Sequence, residues 1–444
     1  MKKNYYSLLS LLAFTLLFSL QTLKAQSLPY PALVGYWENW SSLSLTAVDS
    51  KYNVIIVAFP LPAAGTDYNF TQLDKGPHNT SSFKSAITTL QGQGKKVLLS
   101  IGGATVPIYL DNATEKNTFV SSIGTMLTTY GFDGIDIDLE SSSMDFQNVK
   151  MTGNTDAGLL NMISAIQSIL SNYQTAKGKR CLLTAAPEVM YCQGGYKTPY
   201  YKSGAFLPII EALKNDFDLV QVQLYNVGQG ITALDNTDYY EATVDFIVSM
   251  TEMMIKGFTA TELSGGSGTF SGLPERKVAV ALPACTGAAG SGYTSAAMQK
   301  QAIDYLRGVG SKPGSYTLKT VGGYPNLGGM MTWSINADKD CSAGSYGFAT
   351  SYNNIFSGVG VSVSDHKVSA EMSLYPNPAQ KQITLDMGTN GVKGNVSVYN
   401  SLGQVLFQKQ AGSDSKIVLD VENFPAGIYF VKAGDSIQKF MKVD

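Results

Sequence analysis

Histidine is nearly missing from this 444-residue chain: only His78 and His366 occur, and neither adjoins a motif. That argues against a Ser-His-Asp triad or a histidine-rich zinc site. Cysteine is scarce as well. Cys181, Cys192, Cys285 and Cys341 are the whole set, and their spacing is not that of a metal site. Cys181 and Cys192 flank one predicted strand, which leaves both a disulfide and free thiols open. Charge is low, with 15% charged residues and a formal net charge of -2. Such a balance argues against nucleic acid as a partner and suits an uncharged polymer better. Long apolar runs are missing except near the start, where Lys2 and Lys3 precede Leu8 to Leu20 and Ala25 precedes Gln26. This pattern predicts an export leader, residues 1–25, cut after Ala25. The run is short for a bilayer span, so no permanent membrane anchor is expected.

What is present is organised around Gly134-Ile135-Asp136-Ile137-Asp138-Leu139-Glu140, where apolar and acidic residues alternate strictly. That is a strand period, so Asp136, Asp138 and Glu140 share one face while Ile135, Ile137 and Leu139 share the other. The pattern fits the wall of a parallel barrel, with the isoleucines against outer helices and the acids lining the interior and mouth. A solvated edge strand is the plain alternative. A calcium loop would need a central glycine turn, which Ile135 to Leu139 lacks. Carboxylates stacked this closely repel one another, so at least one proton should stay in the cluster. A carboxyl kept protonated near neutral pH can serve as a general acid.

Strands are predicted at Leu33–Trp37, Val54–Phe59, Val97–Ile101, Gly134–Leu139, Leu182–Ala186, Leu219–Leu224, Val278–Leu282 and Gly329–Ser334. Amphipathic helices are predicted at Ala113–Tyr130, Ala157–Gln174, Phe206–Leu213, Tyr239–Ile255 and Ser295–Leu306. Eight strands alternating with helices describe a (β/α)8 TIM barrel over residues 26–356, with reacting groups at the C-terminal strand ends. Glu140 ends the fourth strand. Gln221, Gln223 and Tyr225 give the sixth strand a second polar interior face.

The residues Asp133, Asp136, Asp138 and Glu140 match D-x-x-D-x-D-x-E, and Ser100, Gly102 and Gly103 match S-x-G-G. In both motifs the chain resembles glycoside hydrolase family 18, the chitinases and their relatives. Ala185-Ala186-Pro187-Glu188 and Gln223-Leu224-Tyr225-Asn226 resemble the branch that includes plant hevamine and bacterial chitinase D. The resemblance implies a retaining, substrate-assisted hydrolysis of β-1,4 bonds between N-acetylglucosamine units. Glu140 would be the general acid and base, Asp138 and Asp136 its supports, and Tyr225 the hydroxyl that orients the substrate acetamido group. It assigns substrate binding to Tyr36, Phe59, Ser100, Gly102, Asp133, Ala186, Glu188, Gln223, Asn226 and Trp333, with Trp333 flooring the reacting sugar. Trp40 would line the groove, while Trp37 could belong to groove or core. Cis peptides are expected at Ala58–Phe59 and Trp333–Ser334. No metal or organic cofactor is implied, and the partners expected are chitin or N-acetylglucosamine oligomers, on which the protein would act as a monomer. Residues 283–328 form a connection too short for the α+β insertion of deep-cleft relatives, which favours an open groove and internal cuts. An endo-β-N-acetylglucosaminidase would use the same acids, and a non-catalytic chitin-binding lectin could share the barrel.

Composition changes near residue 357. A Gly/Ser/Val-rich linker is expected over 357–372, followed by short alternating strands over 373–444 that suggest a small β-sandwich. Tyr375-Pro376-Asn377-Pro378, Tyr399-Asn400-Ser401-Leu402-Gly403 and Pro425-Ala426-Gly427-Ile428-Tyr429 resemble the sorting domain of the type IX secretion system. That resemblance implies passage through the outer membrane and subsequent removal of the tail. A carbohydrate-binding module is the rival reading, but no tryptophan lies in this region.

Overall fold

The computed structural model describes residues 26–73, 80–341, 345–357, 373–386, 394–400, 405–411, 415–433 and 436–443. The expected leader, both histidines and the linker from residue 358 lie outside them. The chain divides into two compact units, Met1–Val359 and Gly360–Asp444.

The first unit is built on eight strands: β1 (Ala32–Glu38), β2 (Val54–Ala58), β3 (Lys96–Gly102), β4 (Gly134–Asp138), β5 (Leu182–Ala185), β6 (Leu219–Val220), β7 (Ala279–Pro283) and β8 (Gly329–Trp333). They run β7-β8-β1-β2-β3-β4-β5-β6, and the neighbours pair in parallel. Isolated bridges from Val220 to Val278 and from Gln223 to Ala281 join β6 to β7 and close the barrel. The ladder of β6 stops at Val220, short of the expected Leu224; beyond it Gln223 bridges singly to Glu188 on one side and to Ala281 of β7 on the other.

Alternation decides which residues fill the barrel. Ala32, Val34 and Tyr36 of β1, Val54, Ile56 and Ala58 of β2, and Leu98, Leu182, Leu219, Ala279 and Ala281 form one buried inner cluster. The opposite faces pack against the helices in a larger core that includes Ile135, Ile137 and Leu139. Gly134 is fixed by this geometry, because a Cβ there would lie 2.1 Å from the Leu182 carbonyl oxygen.

Helices α1 (Thr80–Gly92), α2 (Ala113–Tyr130), α3 (Ala157–Lys177), α4 (Leu207–Leu213), α5 (Val244–Lys256) and α6 (Ala296–Leu306) connect the strands. α2 shows why the chain enters β4 where it does. Asn112 caps its start by accepting from Thr114 N and Glu115 N, and Phe119, Ile123, Met126 and Leu127 form its buried face. Gly131 ends it in the left-handed region at φ 82°. α5 begins at Val244 rather than Tyr239, because Thr243 caps it and Asp238–Tyr239 pairs with Ile231–Thr232 in a hairpin. Two further short helices, α7 (Ile335–Asp340) and α8 (Gly347–Phe356), follow β8. Residues 284–328 hold one helix and no strand, so no α+β insertion stands between β7 and β8.

The disulfide joins Cys285 to Cys341, with Cα atoms 6.2 Å apart. Cys181 and Cys192 are buried free thiols. They sit before and after β5, at opposite ends of a strand, and cannot reach each other as their sequence spacing allowed.

In the second unit, strands Ser373–Tyr375, Gln382–Asp386 and Lys416–Asp420 form one antiparallel sheet. Strands Gly394–Asn400, Val405–Ala411, Gly427–Ala433 and Ser436–Lys442 form another. Ile383, Leu385 and Leu419 from the first share a core with Val396, Val398, Val431 and Phe440 from the second, which makes a β-sandwich. Among the described residues, no helix is long and apolar enough to cross a membrane.

Candidate active site

β4 is buried along its whole length, and its inward side chains are Asp136 and Asp138. Asp136 is fully buried, where a bare carboxylate would be costly. Four neighbours answer that cost. Tyr36 OH donates over 2.6 Å, Ser100 Oγ over 2.7 Å and Thr184 Oγ1 over 2.6 Å, with Gln221 Nε2 at 3.4 Å. Burial raises its proton affinity, and these donors pull it back.

Asp138 and Glu140 continue the row toward the mouth. Gln223 Nε2 lies 2.9 Å from Asp138 Oδ1, 2.9 Å from Glu140 Oε1 and 2.9 Å from the Ala186 carbonyl oxygen. One amide thus fixes both acids against β5. Burial, then Glu140, then Asp136 push Asp138 well above the usual carboxylate range. Burial also raises Glu140, while its bonds from Gln223 and Asp138 lower it. Burial and mutual repulsion therefore keep one proton in this coupled pair, shared across the hydrogen bond between Asp138 and Glu140.

Tyr36, Trp40, Phe59, Asp138, Glu140, Gln223, Tyr225, Asn226 and Trp333 line a cavity of 490 Å³ at the C-terminal end of the strands. The phenols of Tyr36 and Tyr225 are pushed well above 10 by burial and the neighbouring acids, so both stay neutral donors. Phe59 lies 6.1 Å from Trp333 and 6.3 Å from Trp40, with ring planes within 18° and 20°. The three rings make a broad apolar wall, a surface suited to the flat face of a sugar ring. The peptides Ala58–Phe59 and Trp333–Ser334 are cis, as expected. Trp37 belongs to the core: it is fully buried and its indole donates to the Leu43 carbonyl oxygen. A larger depression on the outer surface, between α1 and α2, is lined mainly by Ser, Thr and Asn and holds no carboxylate.

Other predicted residues take different places. Asp133 does not join the site. Its carboxylate accepts from Val97 N and Gln91 Nε2 and pairs with Lys179 at the opposite end of β4. Strand parity explains this, because an odd position falls on the face of Ile135 and Ile137. Ser100 and Gly102 shape the acids rather than the cavity wall. A Cβ on Gly102 would lie 2.1 Å from the Asp138 carbonyl oxygen, and its φ is 121°. Ala186 contributes a carbonyl to Gln223. Glu188 is raised by burial and by Glu140, and lines a second cavity with Tyr191 and Tyr200 that shares Tyr225 and Asn226 with the first. Asn226 accepts from Gly290 N and Ser291 N, fixing the loop after β7. Thr184 went unrecognised in the sequence. Its parity with Leu182 and Ala186 was the available signal. Among the described residues, no group of three or more His, Cys, Asp or Glu could hold a metal ion.

Comparison with known proteins agrees with this arrangement. The description of glycosyl hydrolases family 18 matches residues 32–288, and that of the secretion system C-terminal sorting domain matches residues 373–443. Chitinase D of Niallia circulans is 41% identical over 338 residues, covering 72% of this chain and 62% of that protein. Chitinase ChiA of Flavobacterium johnsoniae is 35% identical over 419 residues, covering 88% of this chain and 26% of that protein. The chain thus spans less than two thirds of the length of either relative. A crystal structure of a family GH18 chitinase from Chromobacterium violaceum superposes with a TM-score of 0.64 at 34% identity, covering 74% of this chain and 85% of that one. The barrel, the row of acids on its fourth strand and these matches place the chain in glycosyl hydrolase family 18, with a secretion sorting domain at its C-terminal end.

Proposed function

We propose that the protein is a secreted chitinase that hydrolyses β-1,4 linkages between N-acetylglucosamine units with retention of configuration. The observation that carries this reading is the single Gln223 amide holding Asp138 and Glu140 side by side beneath Tyr225 and Trp333. Glu140 protonates the leaving oxygen and then activates water. The substrate's acetamido oxygen attacks its own anomeric carbon, giving an oxazolinium ion, so no protein nucleophile is needed. The proton held between Asp138 and Glu140 goes to Glu140, which arms the acid, so that Asp138 accepts the acetamido N–H as a carboxylate. Asp136 stays ionised among its donors, and the Tyr225 hydroxyl orients the acetamido carbonyl. Holding the group in place supplies proximity that free acetamide would lack. The absence of an insertion between β7 and β8 leaves the groove open and supports internal cuts. The tail supports export by the type IX machinery to the extracellular space or cell surface, with the protein acting as a monomer.

The test offers the purified protein a chitin hexamer and a high-mannose glycoprotein in parallel, with products read by mass spectrometry. Dimers and trimers from the hexamer alone are the expected result. A released glycan carrying one N-acetylglucosamine would move the reading to an endoglycosidase, and binding without cleavage of either would make it a lectin. Glu140→Gln should lower turnover by about three orders of magnitude or more while keeping ligand affinity.

A further inference from the structure

Glu140 lies beyond the part of β4 that the sheet holds. The last pairs on its two sides are Gly102 with Asp138 and Ile137 with Ala185. Its backbone is extended, at φ -126° and ψ 166°, and Ser141 then turns into the left-handed region at φ 49°. A single 3-10 turn, Ser141–Met144, follows. A non-glycine residue in that region costs roughly 1–2 kcal/mol, so neighbouring groups must hold it.

Two side chains from the segment after β5 do so. Lys202 Nζ donates to the Ser141 carbonyl oxygen over 2.8 Å and forms an ion pair with Asp145, the residue that closes the turn. Glu188 Oε2 faces Ser141 N at 3.5 Å. The peptide groups on either side of Ser141 therefore meet a carboxylate and an ammonium. The Lys202 side chain is only 9% exposed, and its ammonium rests 4.7 Å from the centre of the Tyr201 ring. Tyr201 OH donates to Asp145 over 3.0 Å, which fixes the same corner. A lysine removed from water this far and directed at two oxygens of one turn is a structural clamp.

We infer that Lys202 is a positioning residue for Glu140: its ammonium pins both ends of the turn that follows the acid and so sets the rate without touching substrate. The inference rests on the glycosidase reading given above. Displacing a reacting group by about an ångström is enough to lower a rate about 100-fold.

Wild type, Lys202→Met, Lys202→Arg and Asp145→Asn are compared on the chitin hexamer, with thermal melts alongside. Lys202→Met keeps the aliphatic stem and loses the charge. It should lower kcat about 10- to 100-fold with KM within about twofold, and Lys202→Arg should recover most of that rate. Asp145→Asn should lower kcat by a smaller factor, and adding it to Lys202→Met should cost little more. Wild-type kcat in Lys202→Met, a loss carried by KM instead, or no recovery by arginine would each overturn the inference. If Lys202→Met melts below the assay temperature, Asp145→Asn decides: a several-fold fall in kcat at unchanged KM supports the clamp, and wild-type kcat refutes it. A wild type that leaves the hexamer uncut overturns the chitinase reading, and the inference with it.

Discussion

The Tyr36 hydroxyl reaches Asp136 Oδ2 across 2.6 Å, tying β1 to β4 through the middle of the barrel. The bond helps Asp136 to hold negative charge where burial opposes it. Tyr36→Phe removes one of its donors without changing the ring. We expect a loss of about 2 kcal/mol in stability, the usual worth of a buried hydrogen bond to a charged group, and a fall of about tenfold in kcat. Thermal melts and hexamer hydrolysis measure the two, and unchanged values for both would show that the bond contributes nothing.

Asp138→Asn separates stability from activity through pH. Folded Asp138 binds its proton more tightly than the unfolded chain does, because burial and Glu140 raise it. Below about pH 4 both states are protonated and the raised affinity carries no penalty. As pH climbs, the unfolded chain releases its proton first, and wild-type stability falls until the folded carboxyl ionises too. Asparagine can still accept from Gln223 and donate to Glu140. The variant's melting temperature should therefore gain on wild type as pH rises from 3 to 7, while kcat falls about 100-fold. A gap that stays constant over that range would mean that Asp138 does not hold the proton.

Cys285 and Cys341 close a loop with a sequence separation of 56, linking the segment after β7 to the end of α7. Replacing both by serine should cost about 2–4 kcal/mol. Thiol labelling of the native protein should leave Cys181 and Cys192 unmodified until denaturant is added, since both are buried. A peptide map joining Cys181 to Cys192 would contradict this pairing.

Trp40 is 42% exposed at the edge of the aromatic wall, which makes it the ring most open to a long substrate. Trp40→Ala should raise KM for the hexamer about tenfold, leave it nearly unchanged for a dimer, and barely alter the melting temperature. Equal effects on both substrates would place Trp40 next to the reacting sugar instead.

Much of this was legible because strand alternation is a strong local signal. Asp136, Asp138 and Glu140 carry their geometry in their parity, and the motif adds their order. The same parity should have set Asp133 aside, but a motif written in one dimension groups it with the other three. Thr184 looked ordinary because a lone threonine in an apolar strand has no partner visible from sequence. Helix α1 was missed because Thr80-Ser81-Ser82 reads as loop, with Phe83, Ile87 and Leu90 as its only buried face. Lys202 and the Cys285–Cys341 bridge depend on loops that meet only in the folded chain, so no spacing rule reaches them.

The closure of the barrel has a consequence for how its contents move. β4 is laddered on both sides, whereas β6 contributes Leu219 and Val220 to its ladder and meets β7 through two single bridges. Gln223 sits at that closure, bridged singly to Glu188 on one side and to Ala281 on the other, opposite Asp136 and Asp138 on one of the firmest staves. A guest entering the cavity therefore meets Asp136 and Asp138 as fixed points, whereas Glu140, past the last ladder pair, depends for its place on the Gln223 amide and on the turn behind it.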